Sequence, residues 1–504
     1  MNQLKTGAVL SYVLIFVTTI VGLVLTPFIV KSLGKAEYGL YTMIGALVGY
    51  MTVLDFGLTN TIVRFVAKYR ADRDIRGEED FLAHSFILYS LIGVIIVFGG
   101  LIVFFNLENL YGDTLSTSQM SKARKMFIIL IFNLAVSLPG GAFQGICSGY
   151  EEFVFPRLAN IIRYILRSLL VFALLLYGGD ALGIILVDTG MNIMYIWITA
   201  IIAFKKLKVR IYLHEFRFSL LKAILSFSVW IFVFSLVNQL RWQAGQLVLG
   251  VSFSTSVVAI YAVAITLGGY YGAFSSAIAS VFLPRATQMV TFNASSRELT
   301  DMFIRVSRVI LFVILYVFGG FVLVGRSFVN LWVGNDFAEV YYYVLIMMFG
   351  LTFILSQGFA SNILEAKNKL KFRGILILVM TLAGLTVGAF LVKDYKGLGM
   401  IMGTVIFMLL ERIVMTWYYQ KKIHLQMFRY YKNVAPLFLG VFVIVSVIYW
   451  VFYFKDFSGD FSRLIVVSVV YTLVYVALFW RLSTEREKKM ITGGLKEMKN
   501  KALS

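Results

Sequence analysis

Apolar runs of about 20 residues recur along almost the whole of this 504-residue chain, and that recurrence narrows the folds open to it more than any other feature. A helix rising 1.5 Å per residue needs about 20 residues to cross a hydrocarbon core of roughly 30 Å, whereas barrel strands need only about ten and alternate in polarity. The runs here are continuous, so the expected fold is an all-α polytopic membrane protein. About fourteen transmembrane helices are expected, at approximately 7–30, 38–60, 82–105, 124–148, 155–177, 181–204, 219–249, 257–284, 307–328, 341–364, 372–392, 397–419, 434–454 and 461–480. Only 14% of the residues are charged, against roughly 25% in an ordinary soluble chain. The first run starts close to Met1, lacks a small-residue cleavage site and leads directly into further spans, so it is expected to be retained.

The net charge of +20 could point to nucleic acid, but its distribution points to membrane topology. Loops on the side of the N-terminus carry 31 Lys and Arg residues and the opposite loops 10. The positive-inside rule then places both termini in the cytoplasm of a multi-pass protein, with the basic excess drawn to anionic lipid. Cys147 is the lone cysteine, and His84, His214 and His424 have no metal-ligand spacing, so neither metal, redox chemistry nor cofactor is expected.

Within this apolar framework the polar residues are conspicuous. In Phe155 to Tyr177, Asn160, Arg163 and Arg167 fall at i, i+3 and i+7, on one helical face. At 1.5 Å per residue, Arg163 lies about 12 Å and Arg167 about 18 Å from the start of the span. A guanidinium in hydrocarbon costs about 3 kcal/mol on insertion scales, so these residues should face a bundle interior or a watery cavity, where an anion meets them. The seventh span adds Asn238, Gln239, Arg241, Trp242, Gln243 and Gln246 over a little more than half its circumference. Asp55 and Asp188 are carboxylates inside spans, able either to pair with these arginines or to bind a coupling ion. Asp188, Asn192 and Tyr195 share one face of the sixth span, and Gln357, Ser361 and Glu365 one face of the tenth. Glu411 and Arg412 are expected to pair locally and snorkel, and Pro139-Gly140-Gly141 to kink the fourth span.

The chain also repeats itself. Leu10-Ser11-Tyr12 returns as Leu225-Ser226-Phe227, Tyr41 and Tyr50 return as Tyr261 and Tyr270, and the stretch from Ile146 to Phe155 aligns with that from Ile363 to Phe372. Six spans separate the copies, an even number, so the repeat is parallel and substrate is expected between its lobes. The expected organisation is an N-terminal six-helix lobe (1–218), a second six-helix lobe (219–430), an extra helix pair (431–480) and a basic cytoplasmic tail (481–504).

The run from Leu33 to Tyr69 carries Leu33-Gly34, Glu37-Tyr38-Gly39, Leu54-Asp55, Gly57-Leu58 and then Arg64. It resembles the polysaccharide biosynthesis or O-antigen flippase (Wzx-like) family of the multidrug/oligosaccharidyl-lipid/polysaccharide exporter superfamily. The resemblance implies a MATE/MurJ-like fold. It also implies a flippase that moves undecaprenyl-pyrophosphate-linked oligosaccharide across the bacterial cytoplasmic membrane by alternating access, for cell-surface polysaccharide. Arg163, Arg167, Arg241, Asn160, Asn238, Gln243 and Arg64 are then the expected substrate-binding residues, and Asp55 and Asp188 the expected ion-coupling residues. The family usually carries an acidic residue near Gln246, absent here. Expected partners are the lipid-linked oligosaccharide, membrane lipids, a polysaccharide polymerase and glycosyltransferases, with no nucleic acid. No nucleophile, metal cluster or carboxylate pair has convincing catalytic spacing, so no enzyme is expected. Two other readings remain: a cation-coupled small-molecule exporter of the same superfamily, which should favour acidic cavities, and a non-transporting scaffold of a glycan assembly complex.

Overall fold

In a computed structural model the apolar runs are helical, and the structure describes residues 3–55, 57–367, 369–453, 455, 457, 459–485 and 488. The described residues form sixteen α-helices and no strand. They are α1 (Gln3–Thr52), α2 (Leu58–Asp72), α3 (Ile75–Tyr111), α4 (Thr117–Gly149), α5 (Val154–Leu176), α6 (Ala181–Ile201), α7 (Phe218–Ser252) and α8 (Thr255–Val281). There follow α9 (Leu283–Thr291), α10 (Ser296–Val333), α11 (Val340–Leu355), α12 (Gly358–Ala366), α13 (Leu370–Tyr395), α14 (Gly397–Lys422), α15 (Met427–Tyr453) and α16 (Asp460–Leu482). Eleven helices among the described residues are long and apolar enough to cross a membrane, or twelve if α11 and α12, bent by 42°, form one broken span. The expected figure of about fourteen is reached only if the halves of α1 and the 35-residue α7 are counted as well.

Helix starts follow local chemistry. Ser116 and Gln119 form a reciprocal capping box at α4, as do Ser295 and Glu298 at α10, while Asp74 and Asp180 accept the Gly77 and Gly183 N–H groups at α3 and α6. The expected loop between the first two spans shrinks to one residue: Gly34 takes φ 73°, ψ 167° inside α1, a conformation that a side chain disfavours. Helix α4 runs through Pro139 without ending.

The chain divides into two compact units, residues Met1–Ile265 with Gly374–Phe407, and Thr266–Arg373 with Met408–Ser504. This division is drawn differently from the lobe boundaries at 218 and 430. In the first unit α4 packs on α2, α3 and α6, and α1 on α5. Gly145 and Gly149 admit Ile62 and Val66 of α2, where a Cβ would collide. After α6 a π-helical turn, Ile202–Lys206, leads into a strap that is fastened to α3. Asp80 accepts the His214 and Glu215 N–H groups at 2.6 and 3.2 Å and pairs with Arg217 at 3.1 Å, while His84 accepts the Arg217 N–H at 2.8 Å.

In the second unit α10 is the central helix, packed by α11, α15 and α16. The C-terminal helix pair is anchored to it by polar contacts. Tyr471 donates to the Tyr316 carbonyl at 3.1 Å and Tyr475 to that of Phe312 at 2.8 Å, while Asp460 accepts from Ser327 at 2.7 Å. Buried Arg308 donates to the Asn433 and Leu482 carbonyls at 3.0 and 2.8 Å.

Helix ends keep the repeat's register: α4 ends at 149 and α12 at 366, 217 residues on, and α5 and α6 start at 154 and 181, each 216 residues before α13 at 370 and α14 at 397. The side chains of Leu225, Ser226 and Phe227 lie outside the described residues, as does most of the basic tail.

Candidate functional site

The polar face of α5 meets the polar face of α6 contact by contact. Arg167 Nε and Nη2 donate to the two carboxylate oxygens of Asp188 at 2.6 and 3.0 Å, a bidentate fork whose partners stay 20% and 28% exposed. One turn away, Arg163 donates to the Asn192 amide oxygen at 3.4 Å and lies 4.8 Å from the centre of the Tyr195 ring. Asn192 in turn donates to Asn133 at 2.7 Å and to Ser137, both on α4. Tyr41 of α1 lies beside both Arg167 and Asp188, and Tyr164 donates to the Thr18 carbonyl at 3.3 Å. The result is a polar seam through α1, α4, α5 and α6.

Two kinds of cation stand side by side in that seam. Arg167 is neutralised. Arg163 has no carboxylate ion pair among the described residues and is held by an amide and an aromatic face, both uncharged. Such groups orient a guanidinium without cancelling its charge, so an anion entering the seam would gain most at Arg163.

The other expected residues lie elsewhere. Arg241 on α7 donates to Thr381 of α13 at 3.1 Å. Gln243 is half-buried, Asn238 exposed and Gln246 buried on the same helix. Asn160 is half-buried with no side-chain hydrogen-bond partner among the described residues, and Arg64 is exposed on α2. Asp55 is on a short 3₁₀ turn between α1 and α2, close to Tyr89, whose hydroxyl hydrogen-bonds with Thr59 at 3.2 Å. Glu411 and Arg412 pair at 3.2 Å as expected, but they do not snorkel: they are 1% and 5% exposed, because the Gln357 amide at the α11–α12 bend takes an Arg412 N–H at 3.2 Å. Among the described residues no three His, Cys, Asp or Glu side chains are grouped to hold a metal ion.

Sequence reasoning missed Tyr41, Asn133, Ser137 and Thr381. Asn133 and Ser137, polar at i and i+4 in an otherwise apolar span, carried a readable signal.

The model of the family described as "Polysaccharide biosynthesis protein" matches residues 4–290, more than half of the chain. The chain belongs to the polysaccharide biosynthesis protein family. It is 22% identical over 420 residues to a putative O-antigen transporter of Shigella flexneri, covering 80% of this chain and 95% of that protein. Among solved structures it is similar to the lipid II flippase MurJ in an inward closed conformation, with a TM-score of 0.73 at 16% identity over 94% of this chain and 98% of that one. A multidrug resistance MATE family transporter in an inward-facing conformation gives a TM-score of 0.63 at 16% identity, over 79% and 92%. The two structures show the shared fold, a bundle of helices long and apolar enough to cross a membrane many times.

Proposed function

We propose that this transporter flips an undecaprenyl-pyrophosphate-linked oligosaccharide from the cytoplasmic to the outer leaflet of the bacterial cytoplasmic membrane, by alternating access between its two six-helix lobes, with both termini in the cytoplasm. The observation that carries the reading is Arg163, a cation inside a membrane-spanning helix whose hydrogen bond and ring contact are both to uncharged groups, while the nearby Asp188 is already paired with Arg167. A diphosphate headgroup supplies the missing anion, and Asn160, Asn238 and Gln243 offer amides to sugar hydroxyls. Arg241 and Arg64 extend the basic path, and Arg167 joins it when Asp188 lets go. That release gives Asp188, with Asp55, a role in coupling transport to a cation. A polysaccharide polymerase and glycosyltransferases are the partners this reading implies.

The O-antigen transporter relative and the lipid II flippase fold support this substrate class. The test is translocation of a fluorescent lipid-linked oligosaccharide by purified protein in proteoliposomes. Arg163→Gln should lose most of the activity at unchanged protein level, since a charge-assisted anchor contributes roughly 1.5–3 kcal/mol. Full activity of Arg163→Gln would overturn the assignment, and an unmodified protein that moves no lipid-linked sugar would leave a small-molecule exporter or a scaffold in its place.

A further inference from the structure

In the second unit, a cavity of about 440 Å³ opens where α9 turns into α10, lined among others by Arg285, Gln288, Phe292, Glu298, Asp301 and Arg305. Two arginines and two carboxylates suggest neutrality, but the carboxylates are already engaged. Glu298 accepts from both the N–H and the hydroxyl of Ser295 at 2.8 Å, as the reciprocal half of the α10 capping box. Asp301 is ion-paired with Arg429 at 2.7 Å. Arg285 reaches only the Gln288 amide oxygen at 3.5 Å, the limit of a hydrogen bond, and Arg305 has no ion pair among the described residues. Both guanidinium groups are exposed beside one cavity, with no carboxylate ion pair among the described residues. Phe292, 82% exposed at the cavity rim, provides an apolar surface next to this charge.

The repeat supplies a second, independent observation. Arg285 stands 11 residues before Ser296, the first residue of α10, and Arg64 stands 11 residues before Ile75, the first residue of α3. The two pairs stand 221 residues apart, against 216–217 for the later helix ends, so the match between Arg285 and Arg64 is one of distance to the next long helix. Each copy therefore carries an exposed arginine at the corresponding point before its next long helix, at the end that the loop charges assign to the cytoplasm.

We propose that Arg285 and Arg305 form a binding site for a lipid-borne phosphate, gripping its oxygens with two guanidinium forks while Phe292 meets the apolar chain. Planar forks suit phosphate geometry, and a phosphate joined to a hydrocarbon tail matches a site that is half basic and half apolar. The phosphate belongs either to the diphosphate of the transported lipid, a source that rests on the function proposed above, or to a phospholipid of the bilayer.

The experiment uses full-length protein in neutral-lipid nanodiscs and two probes, a fluorescent polyprenyl diphosphate without sugar and a fluorescent phosphatidylglycerol. Arg285→Gln/Arg305→Gln should weaken binding roughly ten- to a hundredfold, and Arg285→Lys/Arg305→Lys should lose less. Loss confined to the diphosphate probe identifies the transported lipid as the source, and loss confined to phosphatidylglycerol identifies the bilayer; either supports the site. Unchanged affinity for both probes in the glutamine variant, with an unchanged melting profile, overturns it. If the unmodified protein binds phosphatidylglycerol but not the diphosphate, the transport reading fails while the site stands.

Discussion

Replacing Asp188 by Asn would test whether the Arg167 fork is a strut or an anchor. The change keeps the shape of the side chain but strips the charge from a pair joined by contacts of 2.6 and 3.0 Å. Breaking a fully buried pair at one partner costs about 3–5 kcal/mol, whereas an exposed pair contributes less than about 1 kcal/mol. With side chains 20% and 28% exposed, this pair lies between those limits and nearer the buried one. Asp188→Asn and Arg167→Gln should therefore each destabilise by about 2–3 kcal/mol. The double variant leaves no stranded charge and should cost less than the sum, with a coupling of about 2 kcal/mol. Denaturant titration of purified protein in micelles measures all four corners of the cycle. Additive losses, within about 0.5 kcal/mol, would refute the claim that these residues stabilise one another. Translocation assays on the same proteins separate the two roles. If Arg167 also grips substrate, the double variant recovers stability but not transport; if it transports normally, Arg167 is a strut alone.

Three further outcomes are expected. Gly34→Ala forces a side chain into φ 73°, ψ 167° and should destabilise by about 1–3 kcal/mol, whereas Gly45→Ala, whose Cβ meets nothing within 4 Å, should leave the melting temperature the same or higher. Cysteines introduced at exposed Thr117 and Ser295 should be labelled by a membrane-impermeant reagent from opposite faces of the bilayer, and labelling from one face would sink the proposed topology. Asp180 lies just before α6. Burial alone would raise its carboxyl pKa, but Lys122, 3.0 Å away, and the Gly183 N–H outweigh it and hold it below the usual carboxylate range. A lowered pKa in the folded state gives stability that is present above the ordinary Asp value near 3.9 and lost as the pH falls through the folded-state value. The melting-temperature gap between unmodified protein and Asp180→Asn should therefore be widest near neutral pH and close as the pH falls through the folded-state value.

The parts of the seam that lie along one helix were readable in the sequence, because spacing alone puts Asn160, Arg163 and Arg167 on one face and Asp188, Asn192 and Tyr195 on another. That the two faces meet rung for rung is a matter of packing, which periodicity does not carry. Tyr41 went unread for that reason: it reaches Arg167 and Asp188 from a helix more than a hundred residues upstream. Glu411 and Arg412 were misjudged because adjacent charges near a span's end are ordinarily solvated, and only the bend after Leu355 turns the Gln357 amide toward them. The lone glycine break in α1 was hidden by KSLGKAEYG, whose polar composition reads as a loop although all but Gly34 is helical.

The bracket made by Arg308 sets a timetable for assembly. One of its carbonyl acceptors, on Leu482, lies 174 residues farther along the chain. At a synthesis rate of roughly 5–20 residues per second, about 9–35 seconds separate the emergence of the guanidinium from that of its last acceptor. Through that interval water or the insertion machinery must solvate this side of the charge. A ribosome that stalls before residue 482 therefore releases a chain with a cation at α10 lacking one of its native contacts, a mark by which a quality-control protease could tell an unfinished transporter from a finished one.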